Sequence, residues 1–181
     1  HTSMGYDTAV EAIQKGAHHV PHLFNAMQPF AHRDPGLVGA AFDDPECAVE
    51  LISDGFHIHP SVIRSVFTLF GSDRVVLISD SMMATGMANG RYKLGDLDVT
   101  MKDRKATLQD GTLAGSATNL FDCMRCAVSF GVPREQAIFA ATRNPARSIG
   151  VYDRVGSLTP GKDADILLVD KDLNLKKVIS E

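Results

Sequence analysis

The sequence predicts an α/β fold with a parallel sheet, of the kind from which β/α barrels are built. Strand-like apolar runs alternate with helix-period segments through the first two-thirds of the chain. That alternation favours parallel strands joined by crossover helices. Three of the runs also stop at side chains that handle protons or bind metal: 17–21 at His22, 47–52 at Asp54 and His57, and 75–78 at Asp80. Reactive residues at the carboxyl ends of successive buried strands are how a parallel barrel assembles an active site. The chain opens on His1, like a fourth such run with its start removed. A metal-assisted enzyme is the function class this pattern favours.

Each element has its own signal. Asp7 is placed to cap a helix whose apolar positions Ala9, Val10, Ala12 and Ile13 lead to a stop at Gly16. Residues 18–22 and 46–52 read as strands. Pro60 opens a helix carrying Val62, Ile63, Val66, Phe67 and Phe70, which Gly71 ends. Residues 74–79 form the next strand, rich in β-branched side chains. From 87 to 111 the composition turns to Gly, Asp, Lys and Thr, which predicts short hairpins with a turn at Asp110-Gly111. Helices are expected over 117–130, 133–142 and 144–149. A turn-rich stretch at 156–162 then leads to an apolar strand over 164–169.

Composition narrows the partners. The 181 residues, 44% of them hydrophobic, suffice for one domain with a sizeable core. A formal charge of −4 shows no basic excess, which argues against nucleic acid as the main partner. No apolar stretch approaches the roughly 20 residues that span a bilayer, and no signal peptide stands at the start. Cys47, Cys123 and Cys126 are too few for a disulfide framework and fit a reducing cytoplasm. The lone Cys123-x-x-Cys126 pair lies in a helix-period stretch and reads as buried structural thiols.

A whole (β/α)8 barrel takes about 250 residues, so the chain is either a smaller open sheet or a piece of a barrel. His1 and His22 lie 21 positions apart, room for one helix and one strand. Both imidazoles can therefore reach one barrel mouth, where zinc or iron would suit them. Taken singly, either histidine fits a structural or exposed role equally well. Asp80 needs a partner if buried, and would otherwise be a loop or helix-capping residue. Gly55 permits a tight turn that presents His57, while His59 beside Pro60 reads as a surface residue. The turn at Asn25 and Ala26, with Arg33 nearby, has the donors to hold a phosphate, although a lone loop arginine is usually a solvated cation and the spacing by itself does not decide.

Several stretches together resemble the N-acetylglucosamine-6-phosphate deacetylases of the amidohydrolase superfamily. They are His1-Thr2-Ser3, His22-Leu23-Phe24-Asn25-Ala26-Met27, Asp34-Pro35-Gly36, Asp54-Gly55-Phe56-His57, Ser79-Asp80, Leu113-Ala114-Gly115-Ser116 and Asn144-Pro145-Ala146. The tail 156–165 is similar to the segment by which amidohydrolases return to a small β-sandwich. The resemblance implies that residues 1–155 are the second half of a (β/α)8 barrel and that 156–181 are part of the sandwich. It also implies that the remaining protein ligand, a Glu, lies upstream of His1.

The roles carried over are specific. His1 and His22 would be metal ligands, for zinc or iron. Asp80 would take a proton from the attacking water and give it to the departing amine. Asp54 and His57 would belong to the substrate site, His57 contacting the sugar and the acetyl carbonyl. Asn25 and Ala26 would hold the 6-phosphate, with Arg33 reaching across a homodimer interface. Leu113, Ala114 and Gly115 would line the substrate loop. Rival readings are an amidohydrolase acting on another N-acyl sugar or amide, and a non-catalytic assembly fragment.

Overall fold

The computed structural model describes residues 1–180. The chain runs α1 (Tyr6–Gln14), β1 (His19–Val20), α2 (Gly36–Asp43), β2 (Ala48–Ile52), α3 (Pro60–Phe70) and β3 (Val75–Ile78). It continues through β4 (Gly90–Leu94), β5 (Leu97–Lys102), β6 (Lys105–Thr107), α4 (Leu120–Ser129), α5 (Arg134–Ala141), α6 (Arg143–Ser148), β7 (Ile166–Val169) and β8 (Leu175–Ile179). Strands β1, β2 and β3 form a parallel sheet in sequence order, with His19 opposite Ala48 and Leu51 opposite Leu77. Parallel bridges from Thr2 to Met27 and from Ser81 to Ser116 prolong the parallel pairing at further points. The expected α/β class is present.

The core explains the strand positions. Val49, Leu51, Val75 and Leu77 are fully or almost fully buried and share one cluster with Ile13, Val20, Ile63, Val66 and Phe67. Helix α3 behaves as its sequence predicts. Pro60 stands in its first turn, His59 caps it by accepting the Ser61 N–H through Nδ1 at 3.2 Å, and Gly71 stops it at φ 73°. Helix α1 begins after Gly5, so Asp7 is not its cap but sits in the first turn, where a carboxylate faces the positive end of the helix.

Two elements differ from expectation. Helix α2 has no readable period, because five of its eight residues are buried and nearly all are small or apolar. A Cβ on Gly39 would lie 2.4 Å from Pro35 Cβ, so only glycine fits that contact. Strand β1 is shorter than 18–22 because His22, Phe24 and Ala26 take left-handed φ values of 33°, 72° and 52°. Backbone turns there instead, although the Leu23 N–H still reaches Glu50 O at 2.8 Å.

Strands β4 to β6 are antiparallel, as the composition of 87–111 predicts, and Gly111 closes its turn at φ 87°. Met82, Ala84, Val99, Met101, Ala106, Ala114 and Ala117 give this hairpin unit a core of its own. The apolar strand expected near 164–169 does form, but in an exposed hairpin with β8. Leu167, Leu168 and Val178 are 47%, 46% and 56% exposed. The three cysteines are free, and burial pushes the Cys47 thiol up to about 11 and the Cys123 thiol up to about 12. Those values keep both protonated, consistent with structural packing. Among the described residues no helix is long and apolar enough to cross a membrane.

Candidate active site

The imidazoles of His1 and His22 meet edge to face with ring centroids 5.0 Å apart. Backbone pairing makes that meeting possible: the Thr2 N–H donates to Ala26 O at 3.0 Å, laying the first residues beside the turn after β1. His22 Nδ1 lies 3.0 Å from Asn25 O. A carbonyl can only accept, so Nδ1 carries the proton and Nε2 keeps its lone pair. Metal-ligating histidines are oriented by just such an outer hydrogen bond. The chemistry of the two rings fits a divalent cation, as a pair of ligands. No group of three or more His, Cys, Asp or Glu that could hold a metal occurs among the described residues. His1 lines an open cavity of about 520 Å³ that continues along Ala26, Met27 and Gln28.

Asp54 and His57 form a second unit at the end of β2. Asp54 Oδ1 accepts the N–H groups of Phe56 at 2.9 Å and His57 at 3.0 Å, and Oδ2 accepts from His57 Nδ1 at 2.7 Å. The carboxylate is 1% exposed. Burial pushes the Asp54 carboxyl up, but the His57 ring and the two backbone donors outweigh it and hold the group below the usual carboxylate range. With Nδ1–H donated to Asp54, His57 has Nε2 left for a ligand.

Asp80 lies two residues beyond the end of β3, with an exposed side chain and a left-handed φ of 49°. An Asp tolerates that region better than most residues, yet it still needs support. The support comes from the 113–118 loop. Asp80 O accepts the Ser116 N–H at 2.9 Å, the Met82 N–H donates to Ser116 O at 2.8 Å, and Ser81 Oγ donates to Thr118 O at 2.8 Å. Leu113 bridges to Thr107 and Ala114 donates to Ala106 O at 3.1 Å, so the hairpin unit braces the same loop. Gly115 takes φ 67°, and a Cβ there would approach Asp80 O to 3.7 Å. Gly115 is thus brought beside Asp80, while Leu113 and Ala114 are held against β6.

The expected phosphate residues are only partly assembled. Asn25 closes its own turn, its Nδ2 donating to Leu23 O at 3.2 Å, and Ala26 follows in the left-handed region. Arg33 lies on the exposed 28–34 stretch with its guanidinium against the His32 ring. Among the described residues no hydrogen bond joins Arg33 to Asn25 or Ala26.

With this geometry in hand, the decisive comparison is at the level of sequence families: the amidohydrolase family model matches residues 1–181. The chain belongs to the amidohydrolase family. It is 42% identical over 176 residues to an N-acetylglucosamine-6-phosphate deacetylase of Bacillus subtilis, covering 94% of this chain and 44% of that protein. An N-acetylgalactosamine-6-phosphate deacetylase of Escherichia coli O157:H7 is 36% identical, with 98% of this chain and 47% of the relative covered. Among solved structures, an N-acetyl-D-glucosamine-6-phosphate deacetylase mutant of Mycobacterium smegmatis in complex with N-acetyl-D-glucosamine-6-phosphate superposes with TM-score 0.93 at 37% identity. That match covers 99% of this chain and 48% of the other. The chain spans about half the length of the relatives it matches.

For an amidohydrolase, the informative residues the sequence reading missed are Ser81 and Thr118. Neither stands in a motif, and their contact spans 37 positions. Only the parallel bridge from Ser81 to Ser116 brings them together.

Proposed function

We propose that this chain is the carboxyl-terminal part of an enzyme that hydrolyses N-acetylglucosamine 6-phosphate to glucosamine 6-phosphate and acetate. Residues 1–155 would form the second half of a (β/α)8 barrel and 156–181 part of a β-sandwich. The observation that carries the proposal is the meeting of His1 and His22 at 5.0 Å, with His22 Nε2 left free by the Asn25 carbonyl. The names of the relatives and of the solved neighbour support the substrate.

His1 and His22 would hold a divalent cation, zinc or iron, with further ligands from the remainder of the enzyme. When bound, such a cation would supply Lewis-acid chemistry, polarising the acetamide carbonyl and lowering the pKa of water. Asp80 takes the proton from the attacking water and delivers it to the amide nitrogen, which cannot leave as a free amide anion. Its left-handed backbone, held by Ser116, fixes where that proton is passed. His57, oriented by Asp54, contacts the sugar and the acetyl carbonyl through Nε2. The Asn25–Ala26 turn and Arg33 bind the 6-phosphate, Arg33 from the second subunit of a homodimer. Leu113, Ala114 and Gly115 line the sugar pocket. We place the reaction in the cytoplasm, with which three cysteines, too few for a disulfide framework, agree.

The similarity to an N-acetylgalactosamine-6-phosphate deacetylase favours a second reading, in which the epimeric sugar is the substrate. Turnover by the full-length enzyme on both N-acetyl sugar phosphates and on unphosphorylated N-acetylglucosamine separates the readings. The glucosamine derivative should be hydrolysed fastest, and removal of the phosphate should lower kcat/KM by about a hundredfold, equivalent to losing one or two charge-assisted hydrogen bonds. Faster turnover of the galactosamine derivative would select the second reading. Equal rates with and without phosphate would contradict both.

A further inference from the structure

A cavity of about 360 Å³ lies between the β5–β6 turn, α4, α5 and the β7–β8 turn. That volume is within the range of about 300–1,000 Å³ found for small-molecule sites. Three arginines line it, each from a different element: Arg104 from the hairpin turn, Arg125 from α4 and Arg134 from α5. Their position is imposed by the fold. Asp103 and Arg104 take consecutive left-handed φ values of 51° and 68°, and Asn89 Oδ1 fixes the turn by accepting the Asp103 N–H at 2.9 Å. Arg134 is the first residue of α5, whose N-terminus has no side-chain cap.

The three guanidinium groups are incompletely paired. Arg104 and Arg125 share the Asp122 carboxylate, each at 3.5 Å, outside the 2.7–2.9 Å of a tight charge-assisted bond; Arg104 also donates to Thr118 Oγ1 at 3.5 Å and Arg125 to Asn174 Oδ1 at 3.4 Å. Arg134 donates to a neutral acceptor, Lys171 O at 2.8 Å. Each guanidinium carries five N–H donors, so most of these donors remain available to a ligand. Against these three guanidinium groups the lining sets two carboxylates, Asp122 and Asp172, which leaves a net positive charge that favours an anion. Guanidinium groups from three separate elements are chemically suited to the terminal oxygens of a phosphate monoester. Asp172 and Ser129, which also line the cavity, can accept hydrogen bonds from hydroxyl groups, and buried Leu173 supplies an apolar wall.

We propose that this cavity is a second binding site, for a small sugar phosphate, with Arg104, Arg125 and Arg134 on the phosphate. It goes beyond the deacetylase reading and stands or falls separately from it. Calorimetric titration of the protein with glucosamine 6-phosphate, inorganic phosphate and glucosamine tests it. Glucosamine 6-phosphate should bind saturably, tighter than inorganic phosphate, and glucosamine should not. Arg134→Gln, and separately Arg125→Gln, should weaken that binding by about tenfold, the scale of one lost charged hydrogen bond. Arg33→Ala should leave it in place. Both exposed positions are chosen so that folding is preserved, and a circular-dichroism melt checks this. Absence of saturable binding, or binding lost in Arg33→Ala but kept in Arg125→Gln and Arg134→Gln, would overturn the site. Equal affinity for inorganic phosphate would overturn the sugar assignment.

Discussion

Asp54 shows how one buried carboxylate links local geometry to pH. Its folded-state pKa is depressed, so its contribution is present above the ordinary carboxylate value of 3.8 and disappears as pH falls through the folded value. Asp54→Asn should therefore lower unfolding stability by about 2 kcal/mol at neutral pH, and by progressively less below about pH 4. Urea unfolding at pH 7 and at acid pH checks this, and an unchanged acid limb would contradict the hydrogen bonds that the Asp54 carboxylate accepts. At this scale the sequence is informative. His22, Asp54, His57 and Asp80 all stand where an apolar run breaks off. The Asn25 carbonyl that sets the His22 tautomer was not legible, because the left-handed turn at His22, Phe24 and Ala26 contains no glycine to announce it.

Elements with a clear period or a clear stop were the legible ones. Helix α3 is bounded by Pro60 and Gly71 in sequence and in structure. Helix α2 was invisible for the opposite reason: burial on nearly every side removes the polar stripe on which periodicity depends. Glycines separate by what surrounds them. Gly150 and Gly156 both take positive φ, 71° and 86°, but a Cβ on Gly150 meets nothing, while on Gly156 it would lie 2.8 Å from Ala146 Cβ and 3.0 Å from Thr142 O. Gly150→Ala should destabilise by about 1 kcal/mol, the backbone term alone. Gly156→Ala adds overpacking and should reach about 2–4 kcal/mol. Thermal melts of the two variants give the comparison, and equal losses would contradict the contact.

At the level of the whole molecule, 181 residues fall short of the roughly 250 that a complete (β/α)8 barrel takes, and the chain spans about half the length of the relatives it matches. The exposed β7–β8 hairpin was not legible as exposed, because an apolar strand reads as buried until its neighbours are known. A two-stranded hairpin is marginal alone, and open sheet edges invite pairing. The 181-residue chain should therefore self-associate, and light scattering showing a clean monomer would count against this. With two imidazoles and no third ligand among the described residues, it should also bind zinc or iron weakly and show negligible deacetylation. Robust hydrolysis by the isolated chain would contradict that expectation. The most direct test of the proposed chemistry is turnover of N-acetylglucosamine 6-phosphate by the full-length enzyme carrying Asp80→Asn, with bound metal quantified alongside. Turnover should fall by about 10²–10⁴-fold at unchanged metal content, the range for loss of a positioned acid–base group. Near-normal turnover would contradict Asp80 as the residue that moves the proton.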